Sequence, residues 1–234
     1  MKNDIAAKEL MRISQRKVLQ RFLRESLPEI IELNELPTET ASLRRTDAPL
    51  RITLMDGSQR IVLVEHQTKW QRELPMRLIE YHARYWLRYK LPVDALVFLI
   101  HPNSRAKDSY ENHAMTFRYK LIKLWELPAE KFIAGETALL PFIPLMQNGE
   151  RYIAQAQKII QNAAELGEEE KTSLLTVMYM YTAVKDPGRA EKLFEKMRHT
   201  MFESPLYDLI KQEGIQEGKL TGKLDTARNM LRMK

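Results

Sequence analysis

The sequence predicts an α/β fold in which a mixed β-sheet is flanked by helices and followed by a C-terminal helical extension. Three observations carry this prediction. Leu50 to Met55 alternates apolar and polar residues, Asp56-Gly57 has the chemistry of a tight turn, and Arg60 to Val64 is a β-branched run, so the segment reads as a hairpin entering a core. A helix and a second buried run follow it, the order of a right-handed strand-helix-strand crossover. Beyond residue 146 the chain reads as helices up to about Met201.

In chain order, Leu10, Ile13, Val18, Phe22, Leu27 and Ile30 recur at helical spacing between Ala6 and Leu33, with Pro28 inside the run, which predicts one or two helices. After the hairpin, Pro75 opens a helix from Met76 to Tyr89. Leu78, Tyr81, Tyr85 and Tyr89 line one face of it, and Arg77, Glu80, Arg84 and Arg88 another. Pro92 stops that helix, and Val93 to Ile100 is the next strand. A further helix is expected from about Met115 to Leu127. Leu139 to Met146, with prolines at 141 and 144, reads as a packed connector rather than an element. A boundary is expected there, giving a domain over 1–146, a helical extension over 147–206 and a polar, glycine-containing tail over 207–234. In the extension, helices are expected at Tyr152–Leu166, Glu168–Val184 and Gly188–Met201.

Composition removes several functions. The 234 residues include no Cys, which excludes disulfides, thiolate nucleophiles, iron–sulfur clusters and Cys-bearing zinc sites. The five histidines have no paired metal-ligand spacing, and no glycine-rich phosphate loop or Gly-x-Ser-x-Gly elbow occurs. No apolar run reaches the ~20 residues of a membrane helix, and Met1-Lys2-Asn3-Asp4 opens no signal sequence. A cytoplasmic protein without membrane contact is expected. The net charge is +6, and the basic residues fall in clusters: Lys8 to Arg24, Lys69 to Lys90, and Lys211 to Arg232. An acidic stretch, Glu25 to Glu39, lies between the first two. The pattern suits a phosphate footprint beside a cation site.

The residues that stand out chemically are acids in strand context. Asp47 precedes the first strand of the hairpin, and Glu65 and Gln67 end the second, two apart and hence on one face. A carboxylate on so apolar a strand must meet a cation, take up a proton or lie at a solvated edge. Converging carboxylates with a third oxygen donor suit a hard cation such as Mg2+ or Mn2+, which can activate water and neutralise a phosphodiester transition state. Glu-x-Gln/Lys alone is a weak pattern, because Glu169 to Lys171 and Glu217 to Lys219 match it too. Only Glu65-His66-Gln67 ends a buried strand.

Together, Arg44-Arg45-Thr46-Asp47, the Asp56-Gly57 hairpin, Val64-Glu65-His66-Gln67, Leu74-Pro75-Met76-Arg77, Tyr89-Lys90-Leu91-Pro92-Val93, Leu124-Trp125-Glu126 and the Leu-Pro-x-x-Pro-Leu-Met connector resemble the Rpn family, recombination-promoting nucleases or putative transposases of the PD-(D/E)XK superfamily. The similarity covers about residues 40 to 146 and extends to the Glu-Gly repeats of the tail. It implies a restriction-endonuclease-like core and a metal-dependent DNA endonuclease, linked to recombination or transposition. Asp47 and Glu65 would bind Mg2+ or Mn2+, and Gln67, where the superfamily usually has Lys, would orient the attacking water. An auxiliary upstream acid would be Glu39 or Glu35, and Arg77, Arg84 and Arg88 would contact DNA. Ala48-Pro49 departs from the apolar strand residues of the pattern. A double-strand break is made most simply by two copies of the site, so a homodimer is the simplest assembly. The rival expectations are a nuclease-fold DNA-binding module without cleavage, and an assembly protein working through its C-terminal helices.

Overall fold

The computed structural model describes residues 2–33 and 48–188. Five strands form one mixed sheet in the order β1-β2-β3-β4-β7, and β5 and β6 form a separate hairpin. The elements are α1 (Lys2–Leu23), β1 (Glu29–Glu32), β2 (Ala48–Thr53), β3 (Gln59–Gln67), α2 (Leu74–Tyr89), β4 (Val93–Leu99), β5 (Ser109–Glu111), β6 (Thr116–Arg118), β7 (Lys120–Lys123), α3 (Glu130–Ile133), α4 (Ile153–Asn162) and α5 (Glu168–Lys185). β1, β2 and β3 are antiparallel neighbours, whereas β3, β4 and β7 run parallel. The expected hairpin, crossover helix and mixed sheet are all present.

The hairpin turns where the sequence says it should. Gly57 takes φ 81°, and the Asp56 carboxylate accepts from both the N–H and the hydroxyl of Ser58. That φ costs a residue with a Cβ about 1 kcal/mol or more, so glycine belongs there. Pro49 sits inside the sheet without disrupting it. Its carbonyl accepts from Leu33 N–H at 2.9 Å, so its donorless nitrogen also faces β1, just beyond that strand's last residue, Glu32. No ladder bond between β2 and β3 is lost.

β3 is the middle strand, and its side chains alternate between two apolar layers. Val62 and Val64 join Leu50, Ile52, Leu96 and Phe98 against α1, α4 and α5. Ile61 and Leu63 face the other way, with Ala95 and Val97, and pack under Leu74, Leu78, Tyr81 and Tyr85 of α2. The first layer holds an aromatic column. His66 stacks on Phe98 at 5.0 Å, Phe98 on Phe142 at 5.5 Å and Phe142 on Tyr181 at 5.9 Å.

Three expectations need correction. The last third of Ala6–Leu33 is not helical: α1 stops at Leu23, and Glu29–Glu32 is an edge strand on β2. Pro28 blocks the helix, and two β-branched isoleucines suit the open edge. Met115–Leu127 is not a helix either. It is divided among β6, β7 and a 3-10 turn at Leu124–Glu126, because β7 pairs with the otherwise unpaired edge of β4. A short apolar run with aromatics fits both periods, and the available edge decides. The segment before 146 is itself an element, a run of 3-10 turns over Thr137–Leu145, and Leu139 to Leu145 are buried.

That 3-10 run is packed too tightly to be a loose joint. Gly149 passes so near it that a Cβ would lie 1.8 Å from the Ile143 carbonyl oxygen. Residues on both sides of 146 share one apolar cluster, from Val62 and Phe98 through Phe142 to Leu174 and Tyr181. The helices expected at 152–166 and 168–184 are α4 and α5. The helix expected at Gly188–Met201 and the tail over 207–234 fall beyond the described residues. Among the described residues, no helix is long and apolar enough to cross a membrane.

Candidate functional site

Alternation along β3 places Glu65 and Gln67 on the α2 side of the sheet, in line with Ile61 and Leu63. Glu65 is opposite Val97 and Gln67 is opposite Leu99 on the parallel neighbour β4. Both residues therefore stand at the carboxyl ends of parallel strands, where open α/β sheets gather their binding groups. Past these ends the two strands stay tied, with Ile100 N–H donating to the Gln67 carbonyl and His101 N–H to the Thr68 carbonyl, each at 3.0 Å.

Glu65 is 3% exposed and Gln67 9%. The Gln67 amide N–H donates to a Glu65 carboxylate oxygen at 3.4 Å. Burying a carboxylate this deeply costs several kcal/mol unless charge or hydrogen bonds compensate, so Glu65 is an expensive residue for an apolar strand to carry. The donor set is oxygen, a carboxylate with an amide beside it, which fits a hard divalent cation and not a soft one.

α2 covers this face of the sheet and carries three arginines. At 3.6 residues per turn, Arg77, Arg84 and Arg88 lie within an arc of about 40° on one flank of the buried stripe. Arg84 reaches Glu80 at 3.5 Å, and the Arg88 guanidinium lies 5.5 Å from the Tyr89 ring centroid. Arg77, nearest the start of the helix, differs from both. Its Nε and one terminal nitrogen are buried without a hydrogen-bond partner among the described residues. Tyr81 and Tyr85 are core residues, as their helical spacing indicates. The β5–β6 hairpin packs on the same side, with Phe117 meeting His82 edge to face at 5.6 Å. Burial there holds the His82 pKa below its ordinary 6.5, against a weaker opposing pull from Asp94.

The structure thus brings together Glu65 and Gln67, with the α2 arginines on the helix that covers their face of the sheet. Asp47, Glu39 and Glu35 lie outside the described residues, and among the described residues no three acids or histidines converge as a metal site. β2 begins at Ala48, opposite Val64. Sequence spacing missed one charged cluster, at the end of α1, where the fold adds Lys131 and Glu136 to Lys17, Arg21 and Arg24. These residues are more than a hundred positions apart in sequence, so no local pattern links them. No family model matches the chain, and neither the curated proteins nor the solved structures contain a match.

Proposed function

We propose that this chain is a metal-dependent DNA endonuclease of the kind the Rpn resemblance implies. The observation that carries the reading is the buried Glu65, with Gln67 beside it, at the carboxyl end of the middle strand of a mixed sheet. Asp47 is one peptide bond from Ala48, whose partner Val64 precedes Glu65. Asp47 and Glu65 would hold Mg2+ or Mn2+. Such an ion supplies a water nucleophile at neutral pH and charge neutralisation at the scissile phosphate.

In this reading Glu65 provides a preorganised anionic oxygen. Gln67 hydrogen-bonds both the carboxylate and the incoming water, keeping each oriented. Gln67 brings no positive charge, so Arg77, Arg84 and Arg88 supply the cationic wall for the DNA backbone. Arg77 has the strongest claim, since it is the first arginine of α2 and its guanidinium atoms without a partner among the described residues gain most from a phosphate. A dimer would place two such sites on the two strands of a duplex.

The test is incubation of purified protein with supercoiled plasmid in Mg2+, Mn2+ or EDTA, alongside Asp47→Ala and Glu65→Ala. The expected result is metal-dependent nicking that either substitution reduces by on the order of a hundredfold or more. The presence of Gln67 in place of a cation favours one second reading, a nuclease-fold DNA-binding module. Salt-sensitive binding without product in either metal would select it.

A further inference from the structure

On the far side of the sheet from Glu65, the carboxyl end of α1 and the segment from α3 to the 3-10 run line an open cavity of about 440 Å3. Its wall carries Lys17, Arg21, Arg24, Lys131 and Phe132, with Glu136 as the one acid among the described residues. Lys17 pairs with Glu136 at 3.1 Å, and the Arg21 guanidinium lies 4.9 Å from the Phe132 ring centroid. Neither the Arg24 nor the Lys131 side chain has a hydrogen bond or ion pair among the described residues.

Part of this pattern is local physics. Cations in the last turn of a helix are favoured by its dipole, which accounts for Arg21 and for Arg24 just past the end. The dipole of α1 does not recruit Lys131 from another helix. Four cations around one concavity raise each other's energy, and a low-dielectric wall focuses their field on the space between them. A single carboxylate offsets only one of them. A ligand with several negative charges would relieve the remainder, and guanidinium forks match phosphate oxygens in geometry. The volume lies within the roughly 300–1,000 Å3 of small-ligand pockets.

We infer that this cavity is a binding site for a phosphate-bearing ligand with two or more phosphate groups. It is separate from the Glu65 site and does not depend on the nuclease reading. α1 packs against Val62 and Val64, whereas Glu65 follows the opposite alternation. The ligand source is either free polyphosphate chemistry, as in a nucleotide, or a nucleic-acid backbone.

The experiment is titration calorimetry of the full chain in EDTA at low salt, with tripolyphosphate and with a short duplex DNA as probes. Arg24→Glu and Lys131→Glu reverse exposed charges, so the fold should survive, and thermal melting checks that it does. Each should weaken the bound probe about tenfold or more, while Glu136→Gln should tighten it several-fold. Arg151→Glu, an equal change in net charge away from the cavity, should leave affinity within about twofold. Loss of tripolyphosphate binding in the cavity variants identifies a free phosphate ligand, and loss of duplex binding alone identifies a nucleic-acid backbone. The inference is overturned if the cavity variants shift neither probe by more than about twofold, or if Arg151→Glu weakens binding as much as they do.

Discussion

The two faces of β3 share one backbone and differ in almost everything else. On the even-numbered face, Val62, Val64 and His66 lie in the thicker layer, where the column from Phe98 through Phe142 to Tyr181 joins the sheet to α5. On the odd-numbered face, the apolar pattern of Ile61 and Leu63 stops at Glu65 and Gln67, beneath α2 and the small hairpin. A single strand therefore buries one face in the core and ends the other in a buried carboxylate and amide. A polar residue at the end of a buried strand carries more functional information than one on an exposed helix, because burial makes it costly to keep.

This contrast can be broken or sharpened by substitution. The largest effect should come from the structural face. Phe98→Ala removes a ring contacting Phe22, His66 and Phe142 and should cost about 3–5 kcal/mol in urea denaturation, with nicking falling only as the folded fraction falls. Glu65→Leu should do the reverse. Plasmid nicking should drop on the order of a hundredfold, while the urea midpoint falls far less than in Phe98→Ala, since Leu fills a similar buried volume. A fall in midpoint as large as that of Phe98→Ala would make Glu65 a structural residue and end the distinction.

Smaller effects test the arginines of α2. Arg84→Glu with Arg88→Glu should weaken duplex binding about tenfold and reduce the salt slope by about one for each lost phosphate contact. An unchanged slope would leave these arginines as solvated surface. The smallest effect concerns His82. With its pKa lowered by burial, the unfolded chain takes up the proton first as pH falls. Stability is complete above about pH 6.5 and declines below it. His82→Leu should flatten that decline in thermal melts recorded across the range, and a parallel decline in the variant would assign it to other groups.

The sequence made the hairpin, the crossover and the mixed sheet legible because each had a strong local signal: Asp56-Gly57, Pro75 and the β-branched runs. Its misreadings share a cause. Glu29–Glu32 and Met115–Leu127 are short, and each contributes a strand because a neighbouring edge was free to pair, a nonlocal fact that periodicity does not contain. Thr137–Leu145 was legible as buried but not as helical, since its prolines argue against an α-helix and leave 3-10 geometry open. For the candidate site, alternation correctly put Glu65 and Gln67 on one face. The unpartnered nitrogens of Arg77 were not legible, because they depend on what surrounds the guanidinium.

Pro49 has a consequence for how the chain reaches this arrangement. Its nitrogen turns toward β1, which ends before needing it. Had β2 slipped by one residue against β3, the same nitrogen would have turned inward and left a rung of the ladder empty, while Leu50 and Ile52 swung out of the core. Proline at this position works as a spelling check on strand pairing. It makes the near-miss alignment more expensive than the native one without adding a contact to the native state.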